Sequence, residues 1–352
     1  MKAYNFDSLK FATEGLTGFG CTVIQDDVNL PSFMIPINKR TNAQLFTGGS
    51  EKTHSAFLVD DVEYKRFFAS KFVNCIINGR AYSWPGMDPA AVINFDDSMA
   101  ACNAKGAGWH MLSIAERAVI NHLIHKSGFE PRGNTQYGKN HAYTYEAGEP
   151  TADESDGNGG RRTTRTAAGS GPATWFSDGT REGIADWVGL VWKWLSGMRI
   201  VDGKIQIMNQ NMPAKQVSHA AVSTYWKEIL PSGALVDPGA AGTLAYTADF
   251  KVGTATGAAK SAHMGNFANM GAVTGLTIPE ILFELFLAPK AGESYTGGFW
   301  LNNEGERLPL VGGSYNNASD AGSSALAVHD PRSHVYAGIG FFSAFLELQS
   351  AI

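Results

Sequence analysis

The chain has 352 residues, 44% apolar and only 17% charged, against a usual charged share of about 25%. That apolar content suffices for a sizeable core and excludes general disorder, and a net charge of −5 leaves no basic stripe of the kind nucleic-acid binding needs. No apolar run reaches the roughly 18 residues of a membrane span, and Met1 to Asp7 lack the layout of a secretory leader, so a chain made in a cytoplasm is expected.

In chain order, residues 1–54 read as an extended, strand-forming segment suited to attachment or oligomerisation. Pro31 and Pro36 exclude a helix around Phe33-Met34-Ile35 and favour an edge strand. Ala56 to Val59 and Phe67 to Ala69 read as strands around the acidic turn Asp60-Asp61, and Ser83 to Gly86 as another turn. From Asn94, the spacing of Phe95, Met99, Ala100 and Cys102 predicts a helix that stops before Gly106. A second helix opens with the capping-box pattern Ser113-Ile114-Ala115-Glu116, carries Ala118, Ile120, Leu123 and Ile124 on its apolar face, and ends at Gly128.

Residues 148–172 are rich in Gly, Thr, Ser, Asp and Arg and read as a loop, in which Arg161, Arg162 and Arg165 are solvated. Trp187, Trp192 and Trp194 form the densest aromatic block and read as core. Residues 230–275 read as loops with short strands, Ile278 to Ala288 as a helix begun by Pro279, and Ile339 to Leu346 as a buried strand. Forty glycines without a three-residue period fit short strands with long irregular connections. Together these elements define an α+β chain in which two helices pack on short antiparallel strands. Cys21, Cys75 and Cys102 are odd in number and lack CxxC spacing, which gives neither a disulfide frame nor a zinc site; buried free thiols are expected.

Several blocks together resemble one family. Ala104 to Glu116, with its Gly-Trp-His-Met-Leu-Ser core, is similar to the helical segment of formylglycine-generating-enzyme-like domains, which carry the C-type lectin fold. Asp186-Trp187-Val188-Gly189-Leu190-Val191-Trp192-Lys193-Trp194 resembles that superfamily's Gly-Asn-Val-Trp-Glu-Trp signature, with Leu190 for Asn and Lys193 for Glu. Gly305 to Asn317, then Pro331-Arg332-Ser333 and Gly340-Phe341, is similar to the variable C-terminal region of retroelement-diversified proteins, of which phage tropism determinants are the best-known kind. Their usual Arg-Gly-Gly-Ser-Trp-Asn-Asn is here Val311 to Asn317, with Val311 and Tyr315 replacing Arg and Trp. In such proteins adenines of mostly AAC codons are replaced, a change that cannot yield Lys, Glu, Gln, Met or Trp. Those five types number 57 in the chain and none in the 24 residues from Tyr315 to Gly338.

The resemblance implies one C-type-lectin-like domain of the formylglycine-generating-enzyme-like type over residues 55–352, with a variable region at about 308–344. It implies a hypervariable binder, most simply a phage tail-fibre tip in a virion that recognises a host-surface protein or glycan, with a bacterial surface-displayed binder as the alternative and a trimer by analogy. The enzymes of the superfamily need two C-terminal cysteines, since thiolates bind copper and engage the substrate. Here those places hold Asn316-Asn317 and Phe342-Ser343, and no cysteine follows Cys102, so the oxidase reading is rejected.

His110, His122 and His125 lack an accompanying acidic pattern and read as helix-surface or core residues; GxSxG, phosphate-loop and HExxH patterns are missing. Asp153-Glu154-Ser155-Asp156 reads as a solvated run rather than a calcium loop. No catalytic residue, metal or cofactor is expected, nor nucleic acid or membrane insertion. Carried over position by position, the resemblance makes Tyr315, Asn317, Ser319, Asp320, Ser323, Ser324, Ala327, His329, His334, Tyr336 and Gly338 the variable contact positions, more exposed than the scaffold between them. Asn316, Ala321, Gly322, Ala325, Leu326, Pro331, Arg332, Ser333 and Ile339 are the scaffold. Tyr, His, Ser and Asn are the residue types of antibody paratopes, and Tyr315 and Tyr336 are the natural anchors.

Overall fold

Both expected helices form where their end signals stand. In this computed structural model, which describes residues 5–348, the Asn94 side chain accepts the Asp97 amide and starts the helix Phe95–Asn103. Ser113 and Glu116 close both halves of a capping box on Ile114–Ser127, which Gly128 ends in the left-handed region at φ 71°. The first helix packs on the strands Arg80–Tyr82 and Trp109–Met111.

The fold is mixed α+β and mostly strand. An antiparallel five-stranded sheet runs in the order Thr22–Gln25, Pro31–Asn38, Arg66–Ser70, Ser343–Phe345, Trp109–Met111. A curled sheet of thirteen strands has Glu306–Val311 near its middle, paired with Leu326–Asp330 and Met198–Val201. Trp192–Trp194 joins it between Glu306–Val311, antiparallel, and Ile339–Phe341, parallel. The single strand expected over Ile339 to Leu346 is therefore two. The chain leaves the large sheet after Phe341 and enters the small one at Ser343, and the Phe342 ring between them stacks on Trp187 at 5.7 Å. Trp187, Trp192 and Trp194 are all buried.

The N-terminal segment differs most from its expected form. Asn5 caps an α-helix, Phe6–Leu16, none of whose residues is buried, and Asn42–Leu45 is a second short helix. Nor does the boundary expected at residue 54 coincide with a break. Pro31–Asn38 pairs with Arg66–Ser70, and Cys21, Ile35, Ile37, Leu45 and Phe46 share an apolar cluster with Trp187 and Phe342. Pro31–Asn38 is internal rather than an edge strand. Its pairing with Thr22–Gln25 ends at Met34, so Pro36 has a neighbour on one side only, where a missing N–H is tolerated.

Ala56 to Val59 is part 3₁₀ turn and part strand, because Ser55–Phe57 is capped by His54. The helix after Pro279 is shorter than expected, Glu280–Glu284, with no side-chain cap to extend it. Within 148–172 a small hairpin, Asp153–Ser155 with Arg161–Thr163, forms because Arg161 pairs with Asp153 and Arg162 with Glu154. The three cysteines are free and buried.

Candidate binding face

The segment 312–340 is pinned from beneath. Gly312 and Gly313 lie at φ 85° and 81°, and a Cβ on Gly313 would stand 2.5 Å from that of Ala321. The Ser314 amide and hydroxyl both donate to Asn317 Oδ1, at 2.9 and 2.8 Å, so Asn317 closes the turn. Tyr315 is wholly buried. Its amide donates to Leu190, its carbonyl accepts the Tyr137 amide at 2.7 Å, and its hydroxyl lies 3.1 Å from that of Tyr336. The rings of Tyr137, Tyr315 and Tyr336 pack in series, and the Arg162 guanidinium sits 3.8 Å from the Tyr137 ring. Burial and the Tyr336 hydroxyl push the Tyr315 phenol above its ordinary range.

Ser323 is held as tightly. Glu130 accepts its amide and its hydroxyl, each at 2.8 Å, and its carbonyl accepts Arg117 and Asn121. Ala327 lies inside a strand opposite Trp300 and Leu310. A Cβ on Gly338 would meet the Tyr336 ring at 2.7 Å.

These contacts overturn the expected exposure pattern. Tyr315, Ser323, Ser324, Ala327 and Gly338 are buried, while Asn317, Asp320, His329, His334 and Tyr336 are intermediate and Ser319 is exposed. Asn316, Pro331 and Ser333, expected as scaffold, are exposed. Strand pairing and the tyrosine stack, not residue type, decide which side chains turn inward. Tyr315 is accordingly core, not anchor.

The side chains that do reach solvent fall into distinct sets of contacts. Asn316 donates to the Tyr336 hydroxyl at 2.8 Å. Asp320 faces His263 at 3.8 Å. His329 and His334 flank the Asp330 carboxylate at 3.5 and 3.7 Å; burial outweighs that carboxylate and lowers the His329 pKa. Ser319 lines a recess of about 270 Å³ with Glu130, Arg132, Thr135, His141 and Tyr143.

The far wall of that recess went unread in the sequence. Arg132 stands 4.1 Å from the Tyr143 ring, and Tyr145, 80% exposed, packs edge-on against Tyr143. Arg132 also grips Glu146, which Thr174 and Trp175 bond as well. Burial would raise that carboxyl, and these donors hold it below the usual range. The available signal was Tyr137, Tyr143 and Tyr145 in a Gly- and Asn-containing stretch, a composition with the same paratope character. Of the three histidines on or near the helices, His110 is buried against Glu116 at 2.9 Å and His122 is buried on Phe46, whereas His125 stacks on Tyr295.

No family model matches the chain, and no curated protein matches it either. Among solved structures it is similar to the Major Tropism Determinant U1 variant, at 11% identity and a TM-score of 0.31, over 89% of this chain and 62% of that one. The chain thus spans less than two thirds of that relative. The P3c variant of the same determinant gives 11% identity and a TM-score of 0.30, over 92% of this chain and 71% of that one. Treponema denticola variable protein 1 gives 9% identity and a TM-score of 0.33, over 92% of this chain and 98% of that one. These neighbours are variable proteins of diversity-generating retroelements.

Proposed function

We propose that the chain is a hypervariable binding protein that offers its C-terminal face to a macromolecular receptor and catalyses nothing. One observation carries the reading. Ser319, Asp320, His329 and His334 stand on backbone fixed from below, and among the described residues the closest side-chain polar contacts of Asp320 and the two histidines are the histidine–aspartate approaches of 3.5–3.8 Å. Ser319, Asp320 and His334 can change at little cost to the fold, and His329, half-buried, at a larger one. Tyr143 and Tyr145 beside them supply aromatic area of the kind that concentrates interface energy.

On this reading the frame is C-type-lectin-like, of the formylglycine-generating-enzyme-like type, and the protein is a phage tail-fibre tip in a virion that binds a host-surface protein or glycan. The unburied helix Phe6–Leu16, with its Phe11 and Leu16 and the following Phe19 between 72% and 85% exposed, suits attachment or assembly into a trimer, where several weak tips gain by avidity.

Two displayed libraries test it against immobilised host-surface proteins and glycans. Randomising Ser319, Asp320, His329 and His334 should yield folded binders of differing specificity; randomising Tyr315, Ser323, Ser324 and Ala327 should yield few folded chains. Folded members of the first library that all keep the parent's targets would place binding elsewhere and refute the reading.

A further inference from the structure

Beneath the same segment lie two cations removed from water. Arg117 has 0% of its surface exposed and Lys193 1%. Arg117 stacks on Phe286 and donates through Nη2 to the Ser323 carbonyl at 2.8 Å and through Nη1 to Phe286 at 3.4 Å, but no described protein group accepts from its Nε. Lys193 Nζ donates to the carbonyls of Trp187 and Gly189 at 3.2 and 2.6 Å, which leaves one of its three hydrogens without a described acceptor.

Carbonyl dipoles solvate these groups in part, yet among the described residues neither has a carboxylate within 4.0 Å. The carboxylate that acts on Lys193, Asp186, is a single group that also accepts the Gly169 amide. Two buried cations against one carboxylate leave an excess positive charge in a dry interior, which is unfavourable unless something compensates it. Burial pushes the Arg117 guanidinium down to about 9 and lowers the Lys193 ammonium as well, as expected where counter-charge is short.

Both side chains line one internal cavity of about 10 Å³, walled otherwise by Leu112, Trp187, Leu195 and Phe342 and closed by Gly312 and Ser323. That is room for one water-sized guest. The side-chain walls are apolar apart from Ser323 and the two cations, so the groups left without a described acceptor, Arg117 Nε and one Lys193 hydrogen, are donors, and two cationic donors select an acceptor that carries charge. We propose that a monoatomic anion, chloride in ordinary media, binds in this cavity between Arg117 and Lys193 and ties Gly312 and Ser323 to the second helix and the tryptophan block. A carboxylate-bearing or sulfate-sized ion does not fit the volume.

Bromide is the direct probe. Crystals of the wild-type chain grown in sodium bromide should give an anomalous difference peak within hydrogen-bond reach of Arg117 Nε and Lys193 Nζ. Density there that carries no anomalous signal, as a water would, overturns the proposal. In solution, at fixed ionic strength, replacing gluconate by chloride should raise the Tm by about 2 °C per tenfold increase once the site begins to fill. Arg117→Met or Lys193→Met, whichever folds, should abolish that dependence. A wild-type Tm indifferent to the exchange refutes the site even if neither variant folds.

Discussion

The helix pair at 94–128 and the segment at 312–340 are held by different kinds of contact. The helices close their own ends: Asn94 bonds Asp97, Ser113 and Glu116 bond each other, and Gly128 turns the chain out, all within three or four residues. The segment is held from afar, Tyr315 by Leu190 and Tyr137, Ser323 by Glu130 and Arg117, and Ile339–Phe341 by Trp192–Trp194. A segment fixed by distant partners under its backbone can release the side chains on its other side. A helix fixed by its own side chains has to keep those that cap it. That difference, rather than composition, makes the segment the place where variation is tolerable, and only at the positions facing away from the partners.

The largest effect should come from violating that rule inside the segment. Tyr315→Ala removes a wholly buried ring from between Tyr137 and Tyr336, a large-to-small change that costs about 3–5 kcal/mol. Denaturant unfolding of the variant should show that loss. A cost below about 1 kcal/mol would mean that the ring is a surface anchor after all, and the division between buried and free positions would fail.

The helix pair has its own weak point, and pH exposes it. His122 is buried on Phe46 and Phe286, and its Nε2 faces the carbonyls of Phe283 and Glu284, which can only accept, so the neutral ring carries its hydrogen there. Burial, with His54 and His125 nearby, pushes its pKa down to about 3, against about 6.5 when unfolded. Below pH 6.5 the unfolded chain takes up a proton that the folded chain refuses, so stability falls as pH is lowered from 6.5 towards 3. At pH 5 the loss from this group is about 2 kcal/mol. Unfolding free energies of wild type and His122→Gln at pH 7 and pH 5 should differ by that amount in their pH dependence. Parallel curves would show that the ring is not kept neutral by its surroundings.

The same contrast governs how much was legible. The helix limits could be read because their signals are local; Asn94, Ser113, Glu116 and Gly128 each act on a neighbour in sequence. The tryptophan block was legible as core because three large rings in eight residues have few places to go. The N-terminal helix Phe6–Leu16 was not, since none of its residues is fully buried and its apolar Phe11 and Leu16 stand in solvent. In the segment, Ser319 and Ser323 are the same residue type four positions apart, yet one is exposed and the other is gripped by Glu130. Only pairing with residues some two hundred positions away separates them, and no spacing rule carries that information. Asn316 and Asn317 were inverted for the same reason, because the turn that Asn317 closes depends on Ser314 and on the tyrosine stack beneath it.

The smallest expected effect is the sharpest test of the comparison. Ser319 is exposed, and His334 keeps about 39% of its side chain in solvent and approaches Asp330 only to 3.7 Å. An exposed contact of that length is worth about 0–1 kcal/mol at most, and an exposed serine less. The two share no partner, so their effects should add. Ser319→Ala with His334→Ala should therefore change unfolding free energy by less than about 1 kcal/mol, against the several lost at Tyr315 in the same segment. The small size is itself informative, because a position that contributes little to the fold can be spent on recognition. If thermal unfolding of this double variant falls as far as that of Tyr315→Ala, the outward positions are bound into the core like the inward ones, and the segment is scaffold along its whole length.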